Sequence, residues 1–169
     1  MNENASLFFV DRHFDSHIKE KKAFIESGSN QNFITYADLH EQSSKLRHFF
    51  SKFKINREDR VIILMQDVIS YPIIFWGCLK SGVVPVLLNT LLSSEVVNEI
   101  INNSRAKAVF ISSGLLSSFE NSVKKNVNIK HIIEVGTKKS NYINFDEEIQ
   151  KCFFQDTIKC SKDEIAFWL

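Results

Sequence analysis

The sequence predicts an α/β fold in which a doubly wound, mainly parallel sheet with flanking helices follows an N-terminal helix and a β-hairpin. From residue 61 onward, β-prone apolar runs alternate with amphipathic helical patterns across short links, as in parallel sheets with helices on both faces. Residues 60–64 read Arg-Val-Ile-Ile-Leu, a nearly continuous apolar run typical of a strand covered on both faces. Gly82 follows one helical pattern and Ser93 or Ser94 precedes the next, which are suitable helix-ending and helix-starting residues.

The first 35 residues predict a helix and then a hairpin. Leu7, Val10, Phe14 and Ile18 recur at helical spacing, so residues 6–18 are expected to form a short amphipathic helix against the edge of the main body. Residues 23–26 and 32–35 are short β-prone runs, and the small, turn-favouring residues 27–31 separate them.

A long helix is predicted after Thr35. The Thr35 hydroxyl can accept from the first free amides of the helix, and the Asp38 carboxylate suits its positive end. The expected buried stripe comprises Leu39, Leu46, Phe49, Phe50 and Phe53.

The remaining chain is assigned by the same periodicities. Strands are expected at residues 61–65, 83–88, 108–112 and 131–135, and helices at 68–81, 94–104 and 115–125. After Gly136 the chain becomes polar, and a short helix is expected at 145–153. Residues 165–169 are interpreted as an apolar strand with no turn or cap after it. We therefore expect residues 1–169 to be the N-terminal portion of a larger domain.

Charge and composition argue against several functions. The 21 basic and 20 acidic side chains are mixed along the sequence and give a net charge of +1, so no basic stripe for nucleic acid is evident. The longest apolar runs fall short of the roughly 20 residues of a membrane span, and no secretion signal is recognisable. The three cysteines are widely spaced, as expected of reduced thiols. We expect a cytoplasmic protein that binds neither nucleic acid nor membrane.

The candidate nucleotide and metal motifs are incomplete. Gly77 and Gly82 are spaced as in a phosphate loop, but valines follow where the lysine and hydroxyl residue are needed. His13 and His17, with Asp11 and Asp15 nearby, resemble the beginning of a metal site without a third ligand in the pattern, so a solvated helix face is favoured. No catalytic residue and no metal ligand is assigned.

Asn89 is the one candidate site residue, because it follows the strand at 83–88 at the sheet edge where open α/β folds bind ligands. A loop-stabilising role for Asn89 is the favoured alternative. Asp67 and Arg105 are interpreted as a helix cap and a helix-end cation. Ser112 to Gly114 are interpreted as a turn, and a set of three histidines is placed at the surface or rim: His40, His48 and His131.

Several segments resemble adenylate-forming acyl- and aryl-CoA ligases. Residues 34–50 (ITYADLHEQSSKLRHFF) are similar to the first long helix of that superfamily, and residues 59–112 to its next strands and helices. Three shorter segments resemble the benzoate-CoA ligase branch: FFVDRH at 8–13, VLLNTLL at 86–92 and DEIAFWL at 163–169. The resemblance covers nearly the whole chain and depends on the order of the segments, since none of them is catalytic.

The resemblance implies an enzyme that uses ATP, magnesium and CoA. Its members convert a carboxylate to an acyl-adenylate and then to a CoA thioester, and those of the benzoate branch act on aromatic acids. It also implies that the phosphate-binding loop follows residue 169, so we expect no cofactor site in this chain and no activity from it alone. Three alternatives remain. The chain could be a binding module that stands by itself, one half of a split ligase that pairs with the other half, or self-associates, through exposed apolar surface, or a free-standing nucleotide-binding enzyme with measurable affinity for ATP.

Overall fold

A computed structural model describes residues 3–28 and 31–169. The helices are α1 (Ala5–Phe9), α2 (Tyr36–Lys52), α3 (Ser70–Ser81), α4 (Ser94–Ser104), α5 (Leu116–Lys125) and α6 (Phe145–Ile149). The strands are β1 (Lys22–Ile25), β2 (Phe33–Thr35), β3 (Arg60–Leu64), β4 (Val84–Leu87), β5 (Ala108–Ser112), β6 (His131–Val135) and β7 (Ile143–Asn144). Within these residues the predicted hairpin and the predicted alternation of strands and helices are both confirmed.

The main sheet is parallel and has the strand order β4-β3-β5-β6-β7. The chain passes from β3 to β4 on one side and then crosses back to β5 on the other, so the winding direction reverses between β3 and β5. This reversal makes the fold doubly wound, as predicted. β1 and β2 form the separate antiparallel hairpin.

Each face of the sheet is covered by its own core. Val61 and Ile63 of β3 point into a cluster with α2, α3 and α6, while Ile62 and Leu64 point into a cluster with α4 and α5. The first cluster is rich in phenylalanine, and the Phe49 and Phe110 rings lie 6.0 Å apart between centroids. Alternate residues of one strand therefore serve two opposite cores, which explains the continuous apolar run in the sequence.

α2 begins with the predicted capping box. The Thr35 hydroxyl accepts from the Asp38 amide at 3.1 Å, and the Asp38 carboxylate accepts from the Thr35 amide at 2.9 Å. These reciprocal bonds satisfy amides that have no partner inside the helix. The expected stripe is buried as far as Phe50, but Phe53 lies at the helix end and is only half-buried.

The N-terminal helix is shorter than predicted. α1 ends at Phe9 and gives way to a 3-10 turn at Asp11–His13 and then to irregular turns through residue 20. Val10 is fully buried, but Phe14 is 41% exposed, so the four apolar residues do not share one helical face. The 3-10 turn instead directs Asp11 inward, where it meets Lys80.

The predictions for the last 25 residues were partly wrong. α6 stops at Ile149, and residues 165–169 make one parallel bridge to β4, at Val86 and Trp168, in place of a full strand. The Trp168 amide donates to the Pro85 carbonyl at 2.9 Å, and the Leu87 amide donates to the Trp168 carbonyl at 3.1 Å. Residues 155–164 run irregularly beside α2 and the end of α3, where the Gln155 amide donates to the Ser44 carbonyl at 3.2 Å and the Ile158 amide to the Lys80 carbonyl at 3.0 Å. β7 was not predicted, because its two residues carry no periodicity.

Part of the predicted hairpin turn, residues 29–30, lies outside the described residues. Among the helices that the structure describes, none is both long enough and apolar enough to cross a bilayer.

Candidate functional site

A cleft runs along the carboxyl ends of the parallel strands, where the winding direction reverses. It consists of three cavities of about 550, 360 and 610 Å³ that share lining residues. We call them the apolar, central and outer cavities. Open α/β sheets bind ligands at this edge because neighbouring loops diverge there and leave a crevice. The fold therefore places the candidate site at the position expected for its class.

The central cavity lies between the ends of β3, β5 and β6. The Gln66 amide donates to the Ser112 hydroxyl at 2.9 Å, which ties the end of β3 to the end of β5. The Ser113 hydroxyl donates to the Val135 carbonyl at 3.0 Å and joins β5 to β6. Ser113 and Gly114 form a turn, as predicted, whereas Ser112 is the last residue of β5. The Ser112 and Ser113 hydroxyls hold the rim of the cleft together.

Two carboxylates fix the loops around the central cavity. Glu26 Oε1 accepts from the Ile69 amide at 2.8 Å, so the hairpin is attached to the start of α3. Asp146 accepts from the Gly136 amide at 2.7 Å and from the Ser70 hydroxyl at 3.3 Å. Gly136 has a φ of +98°, a conformation that an L side chain rarely adopts. Both carboxylates therefore have structural partners already.

The apolar cavity lies between the hairpin and α3. Aromatic rings form much of its wall: Phe24, Tyr71, Phe75 and Trp76. The Phe75 and Trp76 rings meet edge to face with centroids 5.1 Å apart. Burial, together with the negative charge of Asp67, raises the pKa of Tyr71 above its ordinary value. This cavity suits an apolar or aromatic group better than a charged one.

Asn89 lies in the outer cavity beside Thr90, with Met65, Gln66 and Asp67 on the other side. Its side chain is exposed, and its Oδ1 accepts from the Leu91 amide at 2.9 Å within its own turn. The structure thus brings Asn89 to the cleft and also gives it the loop-stabilising bond. A ligand-binding role for Asn89 stays a prediction.

The charge of the cleft does not suit a triphosphate. Among the described residues that line the three cavities, Glu26, Asp67 and Asp146 are acidic and Lys139 is the one cation. A polyphosphate needs several cations or amide donors directed at it. The described residues also contain no group of three metal-ligating side chains. The charged side chains of the cleft lining therefore oppose the approach of a polyphosphate.

The other candidate residues have structural roles. Gly77 lies inside α3 against Leu46, and Gly82 ends α3 with a left-handed φ of +68°, so the pair does not form a phosphate loop. The His13 ring lies against the Tyr36 ring at a tilt of 55°, with centroids 4.5 Å apart. α1 ends before His13, so the helical spacing with His17 does not exist.

Asp67 was wrongly predicted to be a cap. The N-cap position of α3 is Ile69, which makes no side-chain cap bond, and Asp67 is exposed in the cleft. Arg105, as predicted, lies at the end of α4.

A buried polar network was missed by sequence reasoning. His40, predicted to lie at the surface or rim, has a side chain only 15% exposed, and its Nδ1 lies 2.8 Å from Asp11 Oδ1. The Thr157 hydroxyl donates to the other Asp11 oxygen at 2.8 Å, and Lys80 donates to the Ser44 hydroxyl at 2.8 Å. The five participants come from four separate segments, so no local pattern could have shown them together.

Fold and cleft together define a class: an α/β domain whose ligand crevice lies at the carboxyl ends of a doubly wound sheet. Residues 11–169 match the sequence profile of a protein family described as "AMP-binding enzyme". The chain is a member of the AMP-binding enzyme family.

Known relatives agree with the resemblance seen in the sequence. The chain is 32% identical over 133 residues to a 4-hydroxybenzoate--CoA/benzoate--CoA ligase of Rhodopseudomonas palustris, which covers 79% of this chain and 24% of that protein. It is 31% identical over 124 residues to a long-chain-fatty-acid--CoA ligase of Haemophilus influenzae, which covers 71% of this chain and 21% of that protein. The chain thus spans about a quarter of the length of these curated relatives.

Solved structures show the same fold. A benzoate CoA ligase from Burkholderia xenovorans superimposes with a TM-score of 0.84 at 26% identity, over 100% of this chain and 32% of that one. An anthranilate CoA ligase in complex with anthranoyl-AMP superimposes with a TM-score of 0.89 at 18% identity, over 98% of this chain and 32% of that one. At this identity the similarity is one of fold alone.

Proposed function

We propose that this chain forms the N-terminal α/β part of an ATP-dependent acid-CoA ligase. In the reaction, a carboxylate oxygen attacks the α-phosphorus of ATP and pyrophosphate leaves, which gives an acyl-adenylate. The CoA thiol then attacks the acyl carbon and AMP leaves. Family membership over residues 11–169 is the observation that carries the proposal, and the ligase names of its relatives support it.

An aromatic acid is proposed as the substrate. The support is the benzoate-ligase relative and the similar benzoate CoA ligase structure. The aromatic wall of the apolar cavity adds a physical argument, since ring-to-ring packing favours a flat, apolar acid over a short one such as acetate. A fatty acid is the competing substrate, because a long-chain ligase is also among the relatives.

The contribution of residues 1–169 is proposed to be one wall of the cleft, not the grip on the polyphosphate. The charged side chains of the cleft lining are acidic apart from Lys139, and their negative charge opposes the approach of ATP. We therefore propose that these residues alone do not form adenylate, and that the phosphate-binding groups come from a further part of the ligase. That part would occupy the exposed apolar surface around Phe24, Ile25 and Phe167.

A chimera tests this proposal. Residues 11–169 would replace the matching region of the Rhodopseudomonas ligase, and benzoyl-CoA would be measured by mass spectrometry with benzoate, ATP, magnesium and CoA. The chimera is expected to form benzoyl-CoA, whereas the 169 residues alone and the host remainder alone are expected to form none. Formation of benzoyl-CoA by the 169 residues alone would refute the proposal that the phosphate-binding groups come from a further part of the ligase. A folded chimera that activates no acid would refute the ligase proposal.

The substrate is tested separately, with the natural protein purified from the cells that produce it. Thioester formation from benzoate would be compared with formation from palmitate at equal concentration. Faster formation of palmitoyl-CoA would refute the aromatic acid while leaving the ligase activity standing.

A second candidate function is a self-standing interaction module, favoured by the same exposed apolar side chains. Phe24 is 41%, Ile25 58% and Phe33 48% exposed on one hairpin. Exposed apolar surface of this kind marks interaction sites. Size-exclusion chromatography and binding of a hydrophobic dye test it, because a monomer that binds no dye would contradict an unpartnered apolar face.

A cytoplasmic location is also part of the proposal. Its support is that Cys78, Cys152 and Cys160 all remain thiols, as expected in a reducing compartment. Cell fractionation with detection of the protein would test it, and recovery in a secreted or membrane fraction would refute it.

A further inference from the structure

Four lysine side chains converge at the end of the sheet opposite to the cleft. A cavity of about 510 Å³, here called the lysine pocket, is lined by Lys52, Lys54, Lys107 and Lys130. Phe53, Ile55 and His131 complete its lining. Acidic side chains are absent from this lining within the described chain. The pocket therefore combines a dense positive charge with an apolar floor.

Three segments far apart in the sequence build the pocket. Lys52 is the last residue of α2 and residues 53–55 follow it, Lys107 immediately precedes β5, and Lys130 immediately precedes β6. The Lys107 amide donates to the Arg60 carbonyl at 2.9 Å, and the Lys130 amide donates to the Lys107 carbonyl at 2.7 Å. Sheet pairing thus places the starts of β3, β5 and β6 side by side and brings their lysines together. This explains how a sequence without a basic stripe acquires a basic pocket.

Two of the lysines are not neutralised by carboxylates. Lys107 pairs with Asp59 at 2.8 Å, and Lys52 pairs with Glu148. Lys130 Nζ, in contrast, donates only to the Val127 carbonyl at 2.9 Å, and Lys54 Nζ has no partner within the described residues. Concentrating cations that lack counter-charges is unfavourable unless an anion binds between them.

Two tilted rings and an isoleucine form the floor of the pocket. The rings of Phe53 and His131 lie 5.5 Å apart between centroids, at an interplanar angle of 59°. Ile55 is buried beneath them, with 4% of its side chain exposed. A ligand with a planar ring could pack on this floor while its anionic groups meet the lysines.

We propose that the lysine pocket binds a small polyphosphate that carries a planar ring, such as a nucleoside triphosphate, at a site separate from the cleft. Lysine ammonium groups are common phosphate partners, and the cavity volume lies within the usual range for small-molecule sites. Lys52 and Lys107 are paired with carboxylates, so Lys54 and Lys130 carry the uncompensated charge. Two such cations favour a multiply charged anion such as a polyphosphate over a single carboxylate. A pocket of about 510 Å³ favours a small molecule over a polymer.

The test uses tripolyphosphate and UTP as probes, measured by calorimetry on the purified chain. Lys54→Ser/Lys130→Ser removes the two lysines without carboxylate partners. Lys19→Ser/Lys21→Ser is the matched control, because it removes the same charge from exposed side chains beside the start of α2, whereas the pocket lies at the end of that helix. The pocket variant is expected to bind tripolyphosphate about tenfold more weakly than wild type, since two charge-assisted contacts are lost. The control is expected to change binding by less than about twofold, because salt screens the interaction between the phosphates and lysines that lie far from the pocket.

Several outcomes would overturn the proposal. Equal weakening in the two double variants would show a nonspecific effect of net charge. Absence of measurable tripolyphosphate binding by the wild type would exclude the site, as would pocket-dependent binding to phosphatidylglycerol vesicles alone. UTP that binds no more tightly than tripolyphosphate would refute the ring contact, whereas tighter binding of UTP would support it.

Discussion

The ammonium nitrogen of Lys80 lies 2.5 Å from Asp11 Oδ1, and only 1% of the lysine side chain is exposed. The pair joins the N-terminal 3-10 turn to the last turn of α3. Burial lowers the pKa of Lys80, although its bond to Asp11 opposes the change. Burial acts to raise the pKa of Asp11, but hydrogen bonds from His40 and Lys80 outweigh it, so the pKa lies below its ordinary value. The two charges therefore depend on each other.

Breaking this pair should destabilise the fold strongly. Asp11→Asn leaves the Lys80 charge buried without a counter-charge, which we expect to lower the free energy of unfolding by about 3–5 kcal/mol. Adding Lys80→Met to Asp11→Asn should recover at least about 1 kcal/mol, because the stranded charge is gone. Urea unfolding measures both. Lys124→Met is the control, since that side chain is 54% exposed, and it should stay within about 0.5 kcal/mol. A double variant no more stable than Asp11→Asn would contradict the account.

Stability should depend on pH through Asp11. Its folded-state pKa is lowered, so the unfolded chain binds more protons in acid and stability falls as the pH falls. The stabilisation by the ionised Asp11 carboxylate is complete above the pKa of the unfolded state, about 3.9, and disappears as the pH falls below the pKa of the folded state. The stability gap between wild type and Asp11→Asn, measured in urea from pH 6 to pH 3, should therefore narrow. A constant gap across this range would show that the lowered pKa does not contribute.

Gly77 allows the close approach of α2 and α3. A Cβ added at this position would lie 2.6 Å from Leu46 Cδ2 and 2.7 Å from Leu46 Cβ. Gly77→Ala should therefore destabilise the fold by about 1–3 kcal/mol through overpacking. Gly114→Ala is the matched control, because its Cβ would meet nothing nearer than Gln66 Oε1 at 3.7 Å. Thermal unfolding compares them, and an equal effect of the two changes would contradict the packing argument.

The thiols of Cys160 and Cys78 should react in a fixed order. Cys78 is fully buried, and burial raises its pKa well above the ordinary value. Cys160 is partly exposed, although burial also raises its pKa. A thiol reagent at pH 8 should label Cys160 first and Cys78 only on unfolding, because the thiolate must be both formed and reachable. Cys160→Ser should remove the fast phase. Rapid labelling of Cys78 in the folded chain would contradict the buried position of α3.

Trp168 should show protection at its backbone amide. That amide donates to the Pro85 carbonyl at 2.9 Å, next to the edge of β4. Hydrogen exchange followed by NMR should be slower at Trp168 than at Phe167, whose amide has no acceptor among the described residues. The Leu87 amide should be protected as well, since it donates to the Trp168 carbonyl. Equal exchange at Trp168 and Phe167 would mean that the bridge to β4 does not persist in solution.

Secondary structure was the part of the fold that local sequence patterns predicted well. The helix Ser94–Ser104 and the strands Ala108–Ser112 and His131–Val135 have the predicted bounds. Their apolar periodicity and caps act over a few residues, so they are visible without knowledge of contacts. The errors fell on residues 6–18, 150–153 and 165–169. In the first and last of these a tertiary contact overrides the local preference: Asp11 turns inward to Lys80, and Trp168 makes a single bridge to β4.

The sequence by itself therefore determined the order of strands and helices and the doubly wound class, because these follow from short-range periodicity and from the geometry of strand-helix-strand connections. Only the tertiary structure decided which charges meet. Lys80 and Asp11 lie 69 positions apart in the chain, and Lys54 and Lys130 lie 76 apart. Electrostatic energy depends on distance in space and on burial, and neither quantity is written in the spacing of residues along the chain.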